Sequence, residues 1–287
     1  MKAIATHAGR MLVLVLAAGL ASALLVRYSP GDLVDEREID QRLNEQSVAA
    51  IRAEKAAERD VLPAFVRYLR GMTRGDLGFS QSRQAPIAGL IAERAPETLR
   101  ELALGLVGGW LLGLGLAIPA GRFRKAWIYD AVSATTAGLL LSLPAALLAY
   151  LCLVAGAKSA TVLVLVIAPR IFRFTRNMLV QAYGSTYVEI ARARGIREIS
   201  ILLRHVLPAA APQILALAAA SASIAIGAAI PIEAICDVPG LGRLAWQAAM
   251  ARDLPVLVNL TMLIALATMA AMAISDAVSS RESAIAI

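Results

Sequence analysis

The chain has 287 residues, of which 59% are hydrophobic and 17% charged, with a mean hydropathy of +0.67. Soluble domains are about half apolar and about a quarter charged, so these proportions exclude an ordinary soluble domain, a disordered chain and a collagen, and point to a membrane protein. Two cysteines, Cys152 and Cys236, are too few for a disulfide framework or a cysteine metal cluster, and the net charge of +7 does not call for a nucleic-acid partner, because Lys and Arg gather in the cytoplasmic loops of polytopic proteins.

Crossing about 30 Å of hydrocarbon takes about 20 residues of helix. Five runs lack any charge: 11–26, 102–121, 131–157, 206–232 and 254–275. A sixth, 159–169, continues through Arg170, Arg173 and Arg176, which fall on one slanting stripe of a helix expected over 159–182. Its arginines belong near one membrane face or inside the bundle, because a guanidinium facing lipid at mid-membrane is costly. The expectation is an all-α fold with six transmembrane helices. Lys2, Arg10, the apolar run and Ala21-Ser22-Ala23 also resemble a secretory signal peptide. The long basic leader and the nearly spanning run favour a retained helix over residues 1–28.

Between the first two spans, residues 29–96 form an external segment. It is charge-dense over 32–60, with a solvated helix expected over Ser47 to Arg59. Val61, Leu62, Phe65, Val66, Tyr68 and Leu69 then cluster before Gly71, and Arg74 to Gly78 reads as a turn. In the second span, Gly105, Gly109 and Gly113 repeat every fourth residue, a groove suited to close helix packing in lipid. Prolines at 119, 144, 169, 208, 212 and 231 fall in or at the ends of apolar runs and are expected to kink or start helices.

Charge orients the spans. Arg122, Arg124 and Lys125 face one acid, and the arginines at 170, 173, 176, 192, 194, 197 and 204 face only Glu189 and Glu198. Both stretches are cytoplasmic by the positive-inside rule. Lys158 and the segment 233–253 are poor in basic residues and face outward. Both termini then fall in the cytoplasm, and residues 97–278 form the main membrane domain ahead of a short tail, 279–287.

Enzymatic chemistry has no foothold. The two histidines, His7 and His205, lack ligand spacing to other metal-binding residues. The nearest approach to a phosphate loop, Gly156-Ala157-Lys158-Ser159, lacks the glycine before its lysine. No catalytic residue, metal site or cofactor is predicted, and the five long runs hold none of the buried acids of proton-coupled carriers. Energy must come from a partner or from the gradient of the substrate.

The informative stretch is 183–208. Thr186 to Arg194 reads as a short helix, Gly195 as a turn able to take positive φ, and Ile196 to Val206 as a second helix leading to Pro208. Ile196, Ile199, Leu203 and Val206 give that second helix an apolar stripe beneath arginines. Spacing alone leaves two readings open, an interfacial amphipathic helix held by anionic lipid or a surface for a protein partner.

The segment resembles the coupling loop of binding-protein-dependent ABC importer permeases, whose pattern runs EAA, three residues, G, nine residues, I, one residue, LP. Glu189, Ala191, Gly195, Leu207 and Pro208 fall in register, with Arg192 and Arg194 between them, while Ile190 and His205 depart from the pattern. Arg173 to Arg176 looks like the helix end that precedes this loop. Pro30-Gly31-Asp32, Gly75 to Gly78, Arg94 to Leu99, Glu233, Pro239-Gly240-Leu241-Gly242-Arg243 and Arg252 to Pro255 are similar to the dipeptide, oligopeptide and nickel branch. The tail after Asp276 departs from it. The resemblance implies an ABC type I importer permease in a bacterial inner membrane, multi-pass and in contact with membrane lipid. Its implied partners are a second homologous permease subunit, cytoplasmic ATP-binding subunits and an extracytoplasmic solute-binding protein. Glu233, Pro239, Gly240 and Gly242 would form an external gate or loop. Dipeptides or oligopeptides are the implied cargo. Nickel, opines, glutathione and glycosides share the scaffold, and an ATP-independent channel or a membrane assembly protein are the readings from other classes.

The charge asymmetry predicts that cysteines placed at Arg124 and Arg197 react with thiol reagents only from the cytoplasm, and those at Ser47 and Arg243 from outside. Labelling of Arg197→Cys by an impermeant reagent in intact cells contradicts this orientation.

Overall fold

A computed structural model describes residues 2–28, 61–122 and 127–283. The charge-dense stretch 32–60 with its expected helix, Arg124 and Lys125 of the first basic loop, and residues 284–287 of the tail lie outside the described residues. Apart from one small hairpin, the described residues are built from helices: α1 (Lys2–Tyr28), α2 (Val61–Met72), strands β1 (Phe79–Ser80) and β2 (Ala85–Pro86), α3 (Ile87–Arg122), α4 (Trp127–Ser142), α5 (Ala145–Val154), α6 (Ser159–Tyr183), α7 (Thr186–Ala193), α8 (Glu198–Ile201), a π-helical turn (Leu202–Val206), α9 (Leu207–Ile235), α10 (Leu241–Met250) and α11 (Leu254–Ser283). The expected all-α fold class holds.

Two compact units divide the chain, residues 1–93 with 247–265, and residues 94–246 with 266–287. In the first, Gly19 of α1 lets Met262 and Phe65 approach so closely that an added Cβ lies 2.8 Å from the Met262 side chain. The antiparallel hairpin pairs Phe79 with Pro86 and Ser80 with Ala85. It sits just beyond the expected turn, where Gly75 and Gly78 both take φ near 81°, a region open to glycine at little cost. Asp253, buried ahead of α11, accepts hydrogen bonds at one carboxylate oxygen from the Ser80 hydroxyl (2.6 Å), the Ser82 hydroxyl (2.7 Å) and the Ser82 amide (2.9 Å). Asn259 adds a second tie, its side-chain amide donating to the carbonyls of Leu77 (2.9 Å) and Pro255 (2.8 Å).

In the second unit, α6 is the hub, packed by α4, α5 and α9. The glycine ladder of α3 meets it directly. Added Cβ atoms at Gly109 and Gly113 fall 2.9 Å from Ile167 and 2.7 Å from Ile171, one at Gly108 falls 2.6 Å from Val164, and one at Gly105 overlaps Leu163. The groove expected from the four-residue spacing is thus a helix-packing surface. Leu163, Ile167, Ile171, Val162 and Leu148 are almost wholly enclosed in the core it creates. Trp110 crosses to α9, donating from its indole N–H to the Ser221 hydroxyl at 3.1 Å. Cys152 and Cys236 are free thiols, both packed against this core.

Three helical stretches among the described residues are long and apolar enough to cross a membrane: 87–120, 198–235 and 254–273. The apolar part of α1, Gly9–Leu25, is shorter, and α6 occupies the interval expected for it with Pro169 and three arginines inside. The run 131–157 differs from expectation. Instead of one span it breaks at Ser142 to Pro144 into α4 and α5, bent by 104°. Pro144 starts α5 from an extended conformation, φ −60° and ψ 143°, which an interior helical residue cannot share. The other difference is continuity: α8 passes through the π-helical turn into α9 without interruption. The wider turn accommodates Pro208, which has no N–H to give to the preceding turn.

The hydrogen bonds to Asp253 predict a pH dependence. Burial pushes its carboxyl pKa up, but the hydroxyls of Ser80 and Ser82 and the amides of Ser82 and Val256 outweigh it and hold the value below the ordinary one. A carboxyl depressed in the folded state contributes stability above its unfolded pKa, and that contribution disappears as pH falls through the folded value. Melting temperatures of the wild type and Asp253→Asn should therefore differ most near neutrality and converge in acid. A gap that widens on acidification contradicts the assignment.

Candidate functional site

The helix–turn–helix expected from 183–208 is present. Helix α7 ends in a Schellman motif: the Gly195 amide donates to Arg192 O (2.9 Å), the Ile196 amide to Ala191 O (3.2 Å), and Gly195 takes φ 73°. An L side chain in that conformation costs about 1 kcal/mol or more, which explains the glycine. One face is anchored. Val188, Ala191, Ile201, Leu202, Val206 and Ala210 are buried with Met178 and Leu179 of α6. The opposite face projects Tyr187, Ile190, Ile199 and Leu203, each between 41% and 56% exposed, among the exposed charged residues Glu189, Arg194 and Arg204.

The expected apolar stripe is therefore divided. Val206 belongs to the core while Ile199 and Leu203 point away from it, because Leu203 and Val206 both lie within the π-helical turn, whose wider period places them on different faces.

The named loop residues separate into internal and outward-facing groups. Arg192 is an internal brace: its Nε donates to Glu198 at 2.8 Å and its guanidinium lies 5.6 Å from the Tyr183 ring centroid, joining α6, α7 and α8. Ala191 is in the core, and Leu207 packs beside it. His205 is half-buried, with Nδ1 enclosed and no hydrogen-bond partner among the described residues. Pro208 is exposed at the start of α9. Glu189 is exposed, and no side-chain hydrogen bond ties its carboxylate among the described residues.

At the other end of α9 the structure joins three of the four predicted external residues. Glu233 is buried, and its Oε2 accepts from the amides of Gly242 (2.7 Å) and Arg243 (3.3 Å), the first turn of α10. The Leu241 amide donates to the Thr98 hydroxyl at 2.7 Å. A carboxylate and a hydroxyl thus satisfy amides that a helix start leaves open, and the negative charge complements the dipole there. Gly240 and Gly242 make this possible: a Cβ on Gly240 overlaps the Glu233 carboxylate and the Thr98 hydroxyl, and one on Gly242 falls 2.6 Å from the Ile230 backbone. Arg243 closes the loop on Asp237 through an ion pair and a bond to its carbonyl. Pro239 is exposed beside this cluster. Thr98 was not singled out from the sequence, although it lies in the stretch Arg94 to Leu99 that carries the resemblance.

A helical membrane bundle bearing a projecting helix–turn–helix at one end and a pinned loop at the other defines a membrane transport component. Residues 109–281 match the family described as the binding-protein-dependent transport system inner membrane component, and the chain belongs to that family. Among relatives, a protein of Brucella suis biovar 1 named as a peptide permease is 27% identical over 281 residues, covering 88% of each chain. The glutathione transport system permease protein GsiC of Salmonella paratyphi A is 28% identical over 255 residues, covering 82% of each. In fold, the chain is similar to an inward-facing MetNI methionine ABC transporter structure, with a TM-score of 0.56 and 24% identity over 67% of this chain and 97% of that one. The protein is a permease component of an ABC importer, seated in the inner membrane, and is not itself a catalyst.

The close approach at the pinned loop predicts that Gly240→Ala lowers the melting temperature, with a cost of about 1–3 kcal/mol for forcing a side chain into occupied space. Gly115→Ala, where nothing lies within 4 Å, should be neutral or mildly stabilising. Equal melting of the two variants contradicts the packing role.

Proposed function

We propose that this chain forms half of the transmembrane pathway of an ATP-driven importer of dipeptides or oligopeptides. A homologous permease completes the pathway, cytoplasmic ATP-binding subunits hydrolyse the nucleotide, and an extracytoplasmic binding protein delivers cargo. Six spans with both termini in the cytoplasm fit this role. The observation that carries the reading is the projecting face of α7 and α8. Its apolar side chains stand beside Glu189, Arg194 and Arg204 on a segment anchored to α6 and continuous with α9, so a docked ATPase has both a surface to grip and a helix to move. In this assignment Ala191, Leu207 and the Arg192 brace position the loop. Gly195 sets its turn, His205 and Pro208 join it to α9, and Glu189 and Arg194 meet the partner. Glu233, Gly240 and Gly242, with Pro239 beside them, hold the external loop. The peptide cargo is supported by the relatives named as peptide permeases. Glutathione, itself a peptide, is the second reading, favoured by the relatives named as glutathione permeases.

Gly195→Pro removes both the permitted φ and the amide that donates to Arg192, and Glu189→Lys reverses an exposed charge. Each should leave insertion near normal while weakening ATPase association or uncoupling hydrolysis from uptake. A helix merely lying on anionic lipid responds oppositely, since Glu189→Lys strengthens its attachment without a transport defect. Purification of the complex reads out its subunits, and wild-type uptake by both variants with ATPase subunits bound sinks the coupling assignment.

A further inference from the structure

The break between α4 and α5 opens a cavity of about 450 Å³, within the second unit, between that break, α6 and α9. Its walls are largely aliphatic, with Leu140, Leu148, Val166, Ile224 and Pro231 among them, and Arg170 is the one ionisable side chain in its lining. Arg170 lies eleven residues inside α6, about 16 Å along that helix from its start. A guanidinium set among aliphatic side chains is expensive unless it faces a cavity or a partner. No carboxylate lines the cavity, and the only hydrogen bond of the Arg170 side chain among the described residues runs to Val166 O on its own helix, at 2.7 Å. Most of its five N–H donors are uncommitted, and the planar fork matches a carboxylate. The non-helical backbone at Ser142 to Pro144 lines the same space, and a cavity is one of the settings in which a membrane bundle tolerates irregular backbone. Helix α5 begins there without a side-chain cap, so the amides of its first turn add positive potential to that of Arg170.

We infer that this cavity receives a small cargo bearing a carboxylate, and that Arg170 pairs with that group as it crosses. The inference rests on the importer reading and narrows it. A cavity of this size lies in the range that holds small organic molecules, and its fixed positive charge suits a peptide or another carboxylate and repels a bare divalent cation. Without the guanidinium, the carboxylate enters this space with only the amides at the start of α5 to offset its lost hydration.

The test uses the complete complex in proteoliposomes with saturating binding protein, so that cargo capture does not limit the rate. Labelled alanyl-alanine and glutathione are the probes, and the variants are Arg170→Gln, Arg170→Met and Arg170→Lys. The expected result is a fall in uptake of about tenfold or more in the Gln and Met variants, the scale of one charged hydrogen bond. Subunit composition and melting should stay unchanged, and Arg170→Lys should retain most of the flux. Uptake by Arg170→Gln within twofold of the wild type overturns the inference. So does loss of a bound anionic lipid in native mass spectra with uptake intact, which assigns the arginine to lipid, and so does failure of both neutral variants to assemble, which makes it structural. Failure of the assembled wild type to take up either probe overturns the peptide reading and this inference with it. That outcome is told apart from the others because it appears before any substitution is made.

Discussion

The second unit depends on how closely α3 approaches α6. Within lipid there is little hydrophobic force to drive helices together, so contact rests on shape and dispersion. The glycines at 105, 108, 109 and 113 remove the side chains that would hold the two helices apart, and Leu163, Val164, Ile167 and Ile171 fill the vacated space. Once α6 is seated, its remaining faces set the rest. Leu148 of the broken pair and Ala225, Ala228 and Ile232 of α9 close around the same core, and the C-terminal end of α6 supplies Met178 and Leu179 as the floor for the helix–turn–helix.

Helix α9 links two differently built ends. Its N-terminal end continues from the helix–turn–helix, and its C-terminal end carries Glu233, on which the loop before α10 is pinned. The two ends use different physics. The helix–turn–helix is held by apolar burial and by one exposed brace, Arg192 to Glu198, and such exposed pairs contribute little stability on their own. The loop before α10 is held by a buried carboxylate, two backbone amides and two glycines whose space is already filled. One end leaves an apolar and charged face outward, and the other is fixed in shape.

Much of this was legible in the sequence because it depends on short-range spacing. A four-residue glycine repeat specifies a packing face, and a glycine between two helical segments specifies a positive-φ turn. Long uncharged runs separated by charged loops specify a helical bundle. What escaped reading depends on three-dimensional context. Pro144 breaks its span whereas Pro119, Pro169 and Pro212 lie within continuous helices, and composition alone does not separate the two outcomes. The stripe over Ile196 to Val206 was assigned to one face on ordinary helical period, which the π-helical turn then shifted. The bonds from Ser80 and Ser82 to Asp253, and from Leu241 to Thr98, join residues more than a hundred positions apart, and nothing local in either partner announces the other.

The uninterrupted passage from α8 through the π-helical turn into α9 turns a surface loop into the short arm of a lever. Helix α9 is 29 residues long, about 43 Å from end to end, so a tilt of about 5° imposed at its N-terminal root sweeps the far end through about 4 Å. A flexible hinge between loop and span would dissipate that displacement. Here no loop residue intervenes, and leverage is set by helix length alone.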